Sequence, residues 1–178
     1  MANQTFMALL APPPIANLTA VVATTETILW NVSRYTPIAA NDARAGDIYM
    51  VTAGGIMSFA GTGALTITPR FGLTVGAGIT MGASIAKTTP GATTNQPWTL
   101  DMTIVIRTVG DPGVNSTVMG TGKFVTNALT TAGSEFALSF GGTSATVDLS
   151  IATGIVIGWT LSVAGTCTPQ YAFIRKVN

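Results

Sequence analysis

WTLDMTIVIR, Trp98 to Arg107, decides the fold class. Trp98, Leu100, Met102, Ile104 and Ile106 fall on one side of an extended chain, and Thr99, Asp101, Thr103, Val105 and Arg107 on the other. Period-two alternation of this length is the mark of a strand with one face in a core. A helix of the same sequence would scatter its apolar side chains around the whole circumference.

The pattern repeats on both sides of this stretch. Downstream, Asp111-Pro112-Gly113 is a strong turn, and Ser116–Thr126 is the expected antiparallel return strand. Gly120 and Gly122 in it predict a bulge or a close backbone approach. After a loop at Asn127–Ser134, Phe136, Leu138 and Phe140 line a short strand that turns at Gly141-Gly142 into Ala145–Leu149. Gly154–Val163 alternates cleanly, with Ile155, Ile157, Trp159, Leu161 and Val163 on one face. Thr168–Val177 closes the domain.

Upstream, Lys87–Pro97 is expected to be a polar loop turning at Pro90-Gly91. Ile79–Ala86 alternates, and so does Ala64–Phe71, where Pro69 points to a sheet edge or a strand end. Asp47–Ala53 and Ile56–Ala60 flank Gly54-Gly55, a hairpin signal that a bulge within one long strand would also satisfy. Asn41–Gly46 (NDARAG) marks a loop or a single helical turn. The first strands are expected near Leu18–Val22 and Thr27–Val32, with Trp30 and Tyr35 as core or interface anchors. Roughly nine to eleven short strands at such intervals, without an amphipathic helix, predict an all-β sandwich or barrel. A two-sheet antiparallel jelly roll over residues 18–178 is the first choice. An immunoglobulin-like sandwich comes second, because the paired cysteines of antibody domains are absent.

Residues 1–17 are expected to form an extended N-terminal arm. Pro12, Pro13 and Pro14 impose a polyproline-II backbone. The n-region lacks the basic residues of a signal peptide. Phe6, Met7, Leu9 and Leu10 are too apolar to dangle in water, so the arm is expected to dock on a neighbouring subunit or scaffold, the alternatives being that it packs back on its own domain or is disordered.

Charged side chains make up only 8% of the 178 residues, against an ordinary figure of about 25%. About thirty threonines supply polarity instead, and their β-branched side chains suit a pleated surface. A surface this poor in solvating charge suggests cover by other copies or by a larger assembly. The net charge is +1 and only Arg175 and Lys176 are adjacent basic residues. That leaves neither a nucleic-acid footprint nor a polybasic membrane patch, so no nucleic acid and no membrane are expected as partners.

Catalytic signatures are missing. The chain has no His, which removes the usual triads and the commonest metal ligand. Cys167 is the single cysteine, so no intrachain disulfide forms and no histidine activates the thiol. A glycosidase would need two of Glu26, Asp42, Asp47, Asp101, Asp111, Glu135 and Asp148 across a cleft, and only Asp42 and Asp47 are near in sequence. Gly120-Thr121-Gly122-Lys123 fails as a phosphate loop, because Phe124 replaces the magnesium-binding hydroxyl and Thr117 the first glycine. Asn3, Asn17, Asn31 and Asn115 open N-x-S/T triplets that chance supplies in so threonine-rich a chain. No catalytic, cofactor-binding or metal-binding residue is therefore assigned, no cofactor is expected, and the chain is not expected to be an enzyme.

RYTPIAANDARAGDIYMVTAGGIMS (Arg34–Ser58), TPRFG (Thr68–Gly72) and WTLDMTIVIRTVG (Trp98–Gly110) together resemble virion structural proteins of tailed bacteriophages, especially those infecting actinobacteria. The resemblance covers roughly residues 28 to 178 and carries no active-site motif. It implies a jelly roll that forms homotrimers. It further implies a place either on the capsid surface, as a decoration, cement or minor capsid protein bound to the major capsid protein, or in the tail, as a minor tail protein or host-binding tip. The expected localisation is the virion capsid surface, after synthesis in the host cytoplasm. In the tail alternative, Trp98 or Tyr171 would serve a sugar-binding aromatic cluster.

Overall fold

The computed structural model describes residues 7–11, 25–29, 38–71, 79–80, 85–88, 91–111, 115–126, 135–151 and 153–177. For 7–11, 79–80, 85–87 and 135–146 the description is of the backbone. Among the described residues eleven strands run in the order β1 (Met7–Ala11), β2 (Thr27–Ile28), β3 (Ile48–Phe59), β4 (Ala64–Phe71), β5 (Ile79–Thr80), β6 (Ile85–Thr88), β7 (Thr93–Thr108), β8 (Ser116–Thr126), β9 (Glu135–Val147), β10 (Ile155–Leu161) and β11 (Gly165–Val177). They form two antiparallel sheets packed as a sandwich. The larger has the order β1-β11-β3-β7-β8-β9, and the smaller β2-β10-β4-β5, with β6 also paired to β4.

The Trp98–Arg107 alternation lies in β7, at the middle of the larger sheet between β3 and β8. Trp98, Leu100, Met102, Ile104 and Ile106 are buried. Their outward neighbours Thr99, Asp101 and Arg107 are exposed. The strand begins at Thr93, so Thr93–Pro97, expected as loop, belongs to the ladder: Pro97 pairs with Ile56 and Gln96 with Met57. Ladder pairing with β3 outweighs the turn composition of TTNQP.

The core joins the two sheets through rings. Trp98 stacks on Phe124 with centroids 5.5 Å apart, and Phe124 meets Trp159 of the opposite sheet at 6.2 Å. Such pairs contribute about 0.5–1.5 kcal/mol beyond area burial. Around them lie Tyr49, Val51, Met57, Leu65, Ile67 and Ile157, all at or near zero exposure. β10 is buried on both faces, Val156 included. Glu26 lies over Gly158, where a Cβ would strike its carboxylate. That carboxylate accepts two hydrogen bonds from Arg70, at 2.6 Å from Nε and 2.5 Å from Nη2.

Several glycine and proline signals resolve differently from their first reading. Gly54-Gly55 does not make a hairpin: β3 runs straight through it. The irregularity sits on the partner, where Gln170 is extra between Pro169 (opposite Gly55) and Tyr171 (opposite Gly54). A side chain at Gly54 would run into the Tyr171 ring, and one at Gly55 into the Thr168 carbonyl, so both glycines record a close approach. Gly141-Gly142 likewise lies inside one strand, β9. There the register with β8 jumps from Met119–Gly141 to Thr117–Thr146, a wide bulge in place of a turn. Pro69 is neither at an edge nor at a strand end. It pairs with Ile157 on one side, and on the other falls between β6, which pairs Ala64–Ile67, and β5, which pairs Arg70–Phe71. The expected strand Ile79–Ala86 is present as the two short strands β5 and β6.

Met7–Ala11, five residues of the expected arm, form the edge strand β1 on β11, with Met7 opposite Val177 and Leu9 opposite Arg175. The rest of the arm, the expected strand at Leu18–Val22, Trp30, Tyr35 and the loop Asn127–Ser134 lie outside the described residues. Asn41–Gly46 is a turn region, with Asn41 at φ 61° and Gly46 at φ 94°. Asp47 organises it: its carboxylate accepts the Arg44 backbone N–H at 2.8 Å and pairs with Lys176 at 2.7 Å.

Candidate functional site: the outer face of the larger sheet

The side chains that could carry chemistry are dispersed. Asp42 is exposed, whereas Asp47 is buried and tied to Lys176 and the Arg44 N–H. The two sequence-adjacent acids therefore do not stand as an open pair across a cleft. Glu26 is held by Arg70, and Asp148 accepts hydrogen bonds from the Ser150 N–H and hydroxyl. Gly120–Lys123 lies within strand β8, with no helix following a loop there. Among the described residues no three His, Cys, Asp or Glu side chains cluster as metal ligands, and no helix is long and apolar enough to cross a membrane.

Cys167 is fully buried. Desolvation pushes its thiol well above the ordinary range, against a smaller opposing effect of a hydrogen bond with Trp98. It is a core side chain, not an available thiolate. Trp98 is 2% exposed and donates its indole N–H to the Ile56 carbonyl at 3.3 Å, so its ring is a core member and not a ligand platform. Asn115, the one N-x-S/T asparagine among the described residues, takes a positive φ of 60° at the start of β8.

What remains open is the outer face of β11, β3, β7 and β8. The ladder registers set its side chains in rows. One row runs Phe173, Thr52, Asp101, Lys123 and the next Arg175, Met50, Thr103, Thr121. Tyr171 stands beside the first row with its ring over Gly54, the contact that the missing Cβ permits. It meets Phe173 at 5.7 Å, tilted by 44°. Between β3 and β8 lies a trough of about 340 Å³, lined by Met50, Thr52, Asp101, Thr103, Thr121 and Lys123. Thr52, Asp101, Thr103 and Thr121 are its short side chains, and Met50 and Lys123 the long ones at opposite corners. Asp101 and Lys123 are exposed and directly opposite in register, yet neither belongs to the ion pairs found among the described residues. Met50 and Met119 are 39% and 45% exposed on this same face.

No family model matches the chain, and no curated protein or solved structure matches it. Its function must therefore be argued from the arrangement itself. The face is broad and rich in threonine, with charges at Asp101, Lys123 and Arg175, which suits contact with another surface better than bond-making chemistry. Composition signalled that character. The particular row of side chains was hidden, because it depends on three strand registers that no local pattern specifies.

Proposed function

We propose that this chain is a virion structural protein, a decoration or cement protein that binds the capsid surface of a tailed phage as a homotrimer and reinforces it. The observation that carries the reading is the nesting of antiparallel pairs. β1 pairs with β11, β2 with β10, β3 with β7 and β4 with β6. Four hairpin-like pairs wound inside one another in this way support a jelly-roll topology, with the β8–β9 hairpin added at the larger sheet's far edge. The jelly roll is the fold that the resemblance to phage virion proteins implies.

The low charge supports the same reading, since a chain with only 8% charged residues leaves a surface suited to neighbours of its own kind. In this reading three copies engage three sites on the major capsid protein at once, so that weak contacts sum to firm attachment. The half-buried Tyr171–Phe173 pair favours a second reading, a minor tail protein or a host-binding tail tip.

The test is attachment. Purified protein is mixed with bare capsids and with isolated tails, and its native mass is measured by light scattering. A trimer that co-sediments with capsids is expected. Binding to tails alone would transfer the protein to the second reading.

A further inference from the structure

We infer that the trough on the outer face of the larger sheet is a binding site for a short, hydroxyl-rich oligosaccharide. The inference goes beyond capsid attachment and does not depend on it. Three features point to this ligand chemistry. The trough offers threonine hydroxyls at positions 52, 103 and 121, together with the Asp101 carboxylate and the Lys123 ammonium. These donors and acceptors match a ligand that carries both on every unit. Asp101 and Lys123 face each other in register without an ion pair, so both can turn to a ligand at little cost. One strand further along the same row, Phe173 and the Tyr171 ring laid on Gly54 supply flat apolar surface of the kind on which a pyranose stacks.

The dimensions agree. From Phe173 on β11 to Lys123 on β8 is three strand spacings, about 14 Å, room for a few sugar units. The trough's volume of about 340 Å³ lies at the small end of ligand sites. A site this open binds weakly, and repetition of the chain in an assembly would compensate by multivalency.

The experiment is an NMR titration of the full-length ¹⁵N-labelled protein with chitotetraose, cellotetraose and mannotetraose, with native mass recorded in parallel. At least one of the three should shift amides clustered on β3, β7 and β8. Asp101→Ala and Lys123→Ala should each weaken that binding by about tenfold or more, the loss of a charged hydrogen-bond partner. Phe173→Ala should weaken it too, with the dispersion of the remaining amide spectrum unchanged. No shift with any of the three sugars would overturn the inference, as would shifts elsewhere or equal binding by the Asp101 variant. If Asp101→Ala instead changes the native mass and no sugar binds, the face is a contact between copies. Failure of capsid attachment would leave these spectra as they are, so the two readings fail separately.

Discussion

Tyr49 is the buried side chain with most at stake. It is fully enclosed, and its hydroxyl has no partner among the described residues. Burial, and then the nearby Asp47 and Asp42 carboxylates, raise its pKa far above the ordinary tyrosine value. Both effects disfavour the phenolate. An unpartnered buried hydroxyl costs about 1–3 kcal/mol, so Tyr49→Phe should stabilise the protein by about 1 kcal/mol or leave it neutral in urea denaturation. The pH dependence has a definite sign. A group whose folded pKa is raised contributes fully below its unfolded pKa and loses that contribution as pH climbs above it. Tyr49 and Cys167 both behave so. Stability should therefore fall from about pH 8.5 upward and more steeply above about pH 10, and Tyr49→Phe should flatten the upper limb.

At the same scale, Gly54 and Gly55 separate two kinds of constraint. A Cβ at Gly54 meets the Tyr171 ring, with its Cε1 at 2.7 Å, whereas one at Gly55 meets the backbone of Thr168 and Pro169. A ring can swing aside and a backbone cannot. Gly55→Ala should thus cost more than Gly54→Ala, which overpacking puts at about 1–3 kcal/mol. Adding Tyr171→Ala should relieve much of the Gly54 penalty and none of the Gly55 penalty. A double-mutant cycle in urea reads both.

Among the elements, β2 and β5 are the shortest, each held by two ladder pairs, and β2 carries an ion pair beside its ladder. It is two residues long and pairs with β10 at Gly158–Ile28 and Trp159–Thr27. The Glu26–Arg70 pair secures it, with side chains only 20% and 16% exposed respectively. Its two charge-assisted bonds hold the Arg70 guanidinium above its ordinary pKa. Removing one partner leaves the other poorly solvated, at a cost of about 1–3 kcal/mol. Glu26→Gln should speed hydrogen exchange at Leu29, whose N–H bonds the Ile157 carbonyl at 3.0 Å, while β7 stays protected. Uniform acceleration across both sheets would contradict a local clamp.

Element type was legible wherever period two was clean, as in β4, β7 and β10, and β8 was legible as the return from the turn at Asp111-Pro112-Gly113. Partner identity was not. The signal at Gly54-Gly55 is the same for a hairpin and for a close approach, and the residue that decides, Tyr171, comes from the last strand of the chain. Thr93–Pro97 looked like loop because Pro and Asn are turn formers, and only its pairing with β3 makes it strand. The outer-face row was invisible for the same reason: alternation tells which side a residue faces, never which residue stands beside it.

For the whole molecule, the edges of the larger sheet decide how it meets others. β1 covers one edge of β11. Deleting residues 1–11 should uncover a long strand, lower stability and promote self-association, seen as a urea midpoint shift and a rise in light scattering. An unchanged midpoint would mean that β1 contributes nothing to the closed sheet. In the proposed role the same deletion should also reduce occupancy on capsids, measured by labelling intact particles.

The nested pairing has a mechanical consequence. The first and the last strand lie side by side at one margin of the larger sheet, with Met7 opposite Val177. Tension applied between Met7 and Val177, which face each other at the same end of the ladder, would peel β1 from β11 before any load reached the ring-filled interior.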